Sequence, residues 1–100
     1  MRENHMPITR IVKLQFHPNH VGEFREIFSR HMSHMDDFPD CLELNGFQDH
    51  QHPQIFFTIS RWKSQEALDQ YRYSEYFRQI WGRVKPLFSA KAEAYSVVKI

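Results

Sequence analysis

The stretch that decides the fold is Phe56–Ser74, FFTISRWKSQEALDQYRYS. It reads as a strand that ends at Arg61-Trp62 and turns at once into a helix. Around its start, Ile55, Phe57 and Ile59 point one way, and Phe56, Thr58 and Trp62 point the other. A strand that is apolar on both faces calls for cover on both. Ser64 is a natural helix N-cap, and Glu66 lies in the first turn, where the helix dipole favours an acid. A small domain with both sheet faces to cover, and helices enough for one, is predicted to cover the second face with another subunit.

The rest of the chain obeys the same grammar. Residues 8–16 alternate, with Ile8, Val12, Leu14 and Phe16 on one face and Ile11, Lys13 and Gln15 on the other. His17-Pro18-Asn19 breaks this first strand, and Asn19 is placed to cap the first helix. From His20 to about Met35 the apolar spacing is helical, through Val21, Phe24, Ile27, Phe28, Met32 and Met35. Asp36, Asp37, Pro39 and Asp40 end that helix. Residues 41–49 form a second strand, in which Gly46 signals a bulge or a close backbone approach. The turn at residues 50–53 leads to the third strand at 54–62, so the two should form an antiparallel hairpin.

The second helix starts at Ser64. Ser74-Glu75 is a second cap-like point where it should break or kink. Tyr76, Phe77, Ile80, Trp81 and Val84 carry the stripe on to Pro86, and a fourth strand comes next over about 90–100. Residues 1–7 read as a tail, and the whole chain as one domain. The order βαββαβ is that of a ferredoxin-like α+β fold with a four-stranded antiparallel sheet.

Strand three, Trp62-Lys63-Ser64, Glu66-Ala67-Leu68, a Tyr and Ser74, and the aromatic run into Val84-Lys85-Pro86-Leu87-Phe88 together resemble the antibiotic biosynthesis monooxygenase family. The resemblance spans Ile8 to Ile100. It implies a dimeric α/β barrel, in which the sheets of two protomers pack face to face with helices outside. For chemistry it implies less, because the family includes cofactor-free quinol and polyketide oxygenases, haem-degrading enzymes, and members with no known reaction. The haem-degrading branch uses an Asn on the first strand and a Trp and a His on the second helix. Those positions fall here on Val12, Tyr71 and Trp81, which removes the ligand logic for haem.

Composition bounds the rest. One hundred residues with nine Phe, four Tyr and two Trp carry more aromatic surface than so small a monomer readily hides, since a chain this size buries roughly two-thirds of its unfolded surface. A net charge of +1 with no Lys/Arg run argues against a nucleic-acid partner. Cys41 is the single cysteine, so no disulfide forms within the chain and a reducing, cytoplasmic setting is expected. Neither an apolar signal core nor a transmembrane run is present, so no membrane partner is expected. A flavin or nicotinamide domain does not fit the length, and no Gly-rich phosphate loop occurs.

Seven histidines raise the question of a metal. His31 and His34 are three apart on the first helix, and His50 and His52 flank a turn, but nothing supplies the further ligands that a zinc site needs. No metal and no cofactor is therefore expected, and His17, His50 and His52 read as solvated. His31 is different. At about 100° per residue it falls within ~20° of Phe24 and ~40° of Met35, inside the apolar stripe, with His34 at its edge. It is either a core histidine with a hydrogen-bond partner or a base facing a pocket. Trp81 is either core packing or the aromatic wall of a cavity between helix and sheet. Trp62 reads as structural or interfacial, and Arg10 and Arg61 as paired across the sheet or near a subunit contact.

The reading that results is a homodimeric, cofactor-independent monooxygenase for a small aromatic, quinol-like or polyketide-like substrate. His31 is its base, Tyr71 orients the substrate, and Phe24, Phe77 and Trp81 form the walls. A non-catalytic small-ligand-binding or stress-related dimer is the alternative, and an isomerase acting by proton transfer a third. A paired acid and base in the cavity would separate them.

Overall fold

The structure, a computed structural model, describes residues 6–100. Residues 1–5 of the expected 1–7 tail lie outside the described part; Met6 and Pro7 are exposed and belong to no element. The elements run β1 (Ile8–Gln15), α1 (Val21–Ser33), β2 (Cys41–Gln48), β3 (Ile55–Trp62), α2 (Gln65–Arg72), α3 (Glu75–Val84) and β4 (Glu93–Val97). The strands form one antiparallel sheet in the order β2-β3-β1-β4. This is the ferredoxin-like α+β fold.

Local chemistry places the helix starts. Ser64 Oγ accepts the Ala67 N–H and opens α2, and Ser74 Oγ accepts the Phe77 N–H and opens α3. The expected break at Ser74 is complete: the long stripe is two helices, not one kinked helix. Asn19 caps nothing. Pro18–His20 form a 3-10 turn, and α1 starts after it with no side-chain cap. The same helix stops at Ser33 rather than Met35, and a second 3-10 turn takes Met35–Asp37. β4 is shorter than the 90–100 run. It pairs only with β1, from Lys13↔Glu93 to Thr9↔Val97.

Gly46 is a close approach, not a bulge. A Cβ there would sit 2.5 Å from Phe28 Cε2, so the missing side chain lets α1 lay the Phe28 ring on the sheet. The register shift lies instead at Cys41/Glu43.

The helices cover one face of the sheet. Phe56, Ser60 and Trp62 on that face are buried, while Ile55, Phe57 and Ile59 on the other face stay partly exposed. Two apolar clusters form under the helices. One gathers Leu14, Phe16, Phe24, Ile27, Phe56, Val84 and Leu87. The other joins Trp62, Ala67 and Leu68. The chain does not fill the space between them.

Candidate functional site

That space is a cavity of about 300 Å³, bounded by Leu14, Phe24 and Val84 of one cluster and Trp62 and Leu68 of the other. Its size is at the lower end of the ~300–1,000 Å³ typical of small-molecule sites. All five side chains singled out in the sequence line it: Phe24, His31, Tyr71, Phe77 and Trp81. Phe77 and Trp81, one turn apart on α3, stack with centroids 5.9 Å apart and planes 11° apart. Together they line one side of the cavity with near-parallel rings. Phe24 leans further toward the core, stacked on Phe16 at 4.3 Å and edge-on to Phe56. Trp62 is structural: it is 1% exposed, and its Nε1 donates to Ser60 Oγ at 2.9 Å.

The polar centre is His31. Its Nδ1 lies 2.7 Å from Tyr76 Oη and its Nε2 3.2 Å from Tyr71 Oη. Burial, then the like charge of His34, lowers the His31 imidazole to about 4. Burial likewise pushes the Tyr71 phenol well above its ordinary value and raises Tyr76. At neutral pH all three groups are therefore uncharged. A neutral imidazole donates from one nitrogen and accepts at the other, so one phenol donates to His31 and the other accepts from it. Tyr71 is mostly buried and lines the cavity; Tyr76 is half-buried beside the exposed His34. The three groups thus link the cavity wall to the protein surface.

The helix break builds this chain. In one continuous helix, positions 71 and 76 would point about 140° apart at 100° per residue, and they could not grip the same ring. Ser74 resets the phase, and its hydroxyl also donates to the Tyr71 carbonyl at 2.7 Å.

Sequence reasoning passed over three site residues. Tyr76 was counted only as one position of the apolar stripe, because a break expected at Ser74 does not by itself fix the phase of the helix that follows it. Arg10 and Arg72 both line the cavity. Arg10 is in phase with Val12, Leu14 and Phe16, which was the available signal; it also hydrogen-bonds across the sheet to Ser96 at 3.0 Å. Arg61 pairs with Glu43 on the open face instead. His17, His50 and His52 are exposed, with His52 against Asp49 at 3.1 Å. No group of three or more His, Cys, Asp or Glu able to hold a metal occurs among the described residues. Nor is any helix among them long and apolar enough to cross a membrane.

Four antiparallel strands with helices on one face, beside an aromatic-lined cavity, define a ferredoxin-like α+β domain. The family model described as antibiotic biosynthesis monooxygenase matches residues 7–82, and the chain belongs to that family. Similar folds include a conserved protein from Methanosarcina mazei Go1, at 22% identity and TM-score 0.89 over 97% of this chain and 96% of that one. A structure described as antibiotic biosynthesis monooxygenase aligns at 17% identity and TM-score 0.86 over 93% and 98%. Rv0793 from Mycobacterium tuberculosis aligns at 15% and 0.86 over 94% and 95%. No curated protein matches in sequence.

Proposed function

We propose that this protein is a cofactor-independent monooxygenase for a small aromatic, quinol-like or polyketide-like molecule. The observation that carries the reading is the Tyr71–His31–Tyr76 chain running outward from an aromatic cavity. Such a substrate supplies its own electrons once it loses a proton. In an anthrone-type substrate the ring methylene loses both hydrogens and gains a carbonyl oxygen, and the second atom of dioxygen leaves as water.

The protein's task is to exclude water and carry the proton away. An imidazole with its pKa near 4 is a weak base for a phenol, which titrates near 10. The chain avoids holding that proton on His31. A substrate hydroxyl gives its proton to Tyr71 Oη, Tyr71 passes its own to Nε2, Nδ1–H passes to Tyr76, and Tyr76 releases one to water. The imidazole ends as the other tautomer, neutral throughout. Tyr71 is then the group that meets the substrate, and His31 acts through it. Among the described residues His31 is also the one imidazole lining the cavity, and both its nitrogens face phenols, so the reading needs no haem or metal.

A homodimer through the open face of the sheet and a cytoplasmic setting belong to the same reading; the unpaired Cys41 suits a reducing compartment. One observation favours a non-catalytic ligand-binding dimer instead. Both His31 nitrogens are already satisfied by protein groups, as in a structural core histidine. Oxygen uptake with anthrone or 1,4-dihydroxynaphthalene separates the two. An oxygenase should lose roughly 10²-fold or more in Tyr71→Phe and His31→Gln, the scale of general acid–base catalysis. No uptake by the wild-type protein leaves the binding reading.

A further inference from the structure

The cavity is apolar and aromatic over most of its wall, yet two guanidinium-bearing residues line it. Arg10 projects from β1 on the helix-covered face, and Arg72 is the last residue of α2. Both are half-buried. The described partner of Arg10 is neutral, the Ser96 hydroxyl, and Arg72 lies 5.9 Å over the Tyr73 ring. Among the described residues, neither has a carboxylate within ion-pair distance. Burial and then the like charge of Arg72 lower the Arg10 pKa, while Asp69 opposes them. Asp69 is itself engaged by Gln65 Nε2 at 2.8 Å.

Two cations edging one partly dry cavity repel each other and lose hydration, and an anion placed between them relieves both costs. The planar guanidinium fork fits a carboxylate in particular. The approach is also positive. Arg72, Phe77 and Trp81 line both the cavity and a shallow surface cleft edged by Lys85 and by Arg78, the latter paired with Glu75. Charge of this sign steers an anion toward the opening.

We propose that the ligand of this cavity is an aromatic carboxylate, its fused rings lying against Phe77 and Trp81 and its carboxylate held by Arg10 and Arg72. The proposal rests on the small-aromatic reading of the site but not on oxidation. The direct test is binding, monitored by quenching of tryptophan fluorescence and by calorimetry, of 2-naphthoate and of 2-naphthamide, which keeps the rings and removes the charge. A charge-assisted hydrogen bond is worth ~1.5–3 kcal/mol, so the wild-type protein should prefer naphthoate by about tenfold or more. Arg72→Gln and Arg10→Gln should each erase most of that preference and leave naphthamide binding unchanged. Arg72→Lys, with its charge but no fork, should fall between. Trp81→Ala should weaken both ligands.

Equal affinity for the two ligands, no naphthoate binding, or a preference that survives both Arg→Gln changes would overturn the proposal. If Arg10→Gln fails to fold, Arg72→Gln and Arg72→Lys decide it alone. Oxygen uptake with 1,4-dihydroxy-2-naphthoate against 1,4-dihydroxynaphthalene keeps the two claims apart. Equal turnover of both at every concentration sinks the anion site and leaves the oxygenase. Tight naphthoate binding without uptake does the reverse.

Discussion

At the scale of single residues, His31 decides most. As a lone core group it could be exchanged for Phe at little cost, but two phenols depend on it. His31→Phe should destabilise the protein by about 1–3 kcal/mol, because the buried Tyr71 hydroxyl loses its partner; His31→Gln, with a donor and an acceptor, should recover much of this. The histidine also predicts a pH dependence. Its pKa is near 4 in the folded state and about 6.5 unfolded. Between those values the unfolded chain takes up a proton that the native site refuses. Stability should therefore fall as pH drops from about 6.5 to 4, by up to ~3 kcal/mol, and this contribution should be flat on either side. Urea unfolding of wild type and His31→Gln across that range isolates it, because the acidic groups are common to both; parallel pH profiles would contradict the burial of His31. Trp81 makes the opposite kind of test. Trp→Ala in a packed core costs about 3–5 kcal/mol. Here the side chain is half-buried and borders the cavity, so the loss should fall below that range.

At the scale of elements, the break between α2 and α3 carries the most consequence. Ser74 accepts from Phe77 N–H and donates to the Tyr71 carbonyl, so it both caps one helix and ties it to the other. Ser74→Ala should cost about 1 kcal/mol from the cap alone. It should also loosen the grip of Tyr76 on His31, visible as a changed His31 titration by NMR while the helix content by circular dichroism stays nearly the same. An unmoved titration would mean that α3 is held in place by packing alone. The sequence showed both Ser caps because capping is local, and it showed the strand faces because a two-residue period survives without tertiary context. It did not show where α1 stops or how long β4 runs, since those ends depend on partners elsewhere in the chain. For the same reason it showed His31 inside a stripe but not Tyr76 beside it. The stripe of α3 has a phase relative to α2 that only the break defines, and no spacing rule carries across a break. Arg10 was legible, in phase with its apolar neighbours, but a charge on a core face reads as an exception until a cavity is seen beneath it.

At the scale of the whole molecule, the feature that points to a partner is the sheet face that no helix among the described residues covers. Across it, in strand order, runs the row Asn45, Ile59, Ile11, Tyr95, with Phe57 and Phe47 opposite each other beside it. Phe47 is 51% and Tyr95 54% exposed. This apolar patch gives way to Lys13 and Glu93 beside Phe57; we expect it to be the contact with a second copy of the chain, whose matching face a two-fold axis would relate. Light scattering after size exclusion at micromolar concentration should give about twice the chain mass of 12.2 kDa. Ile59→Asp puts a charge at the centre of the band. Its side chain points away from the helices, so the cavity and both clusters beneath the helices should be left as they are. A buried, unpaired carboxylate costs far more than an interface of ordinary size can spare, so this variant should sediment as a monomer. Its unfolding should lose the concentration dependence that linked folding and association impose on a dimer. A wild-type protein that elutes as a monomer, or an Ile59→Asp variant that stays dimeric, would move the subunit contact off this face and leave the sheet's apolar band without an occupant.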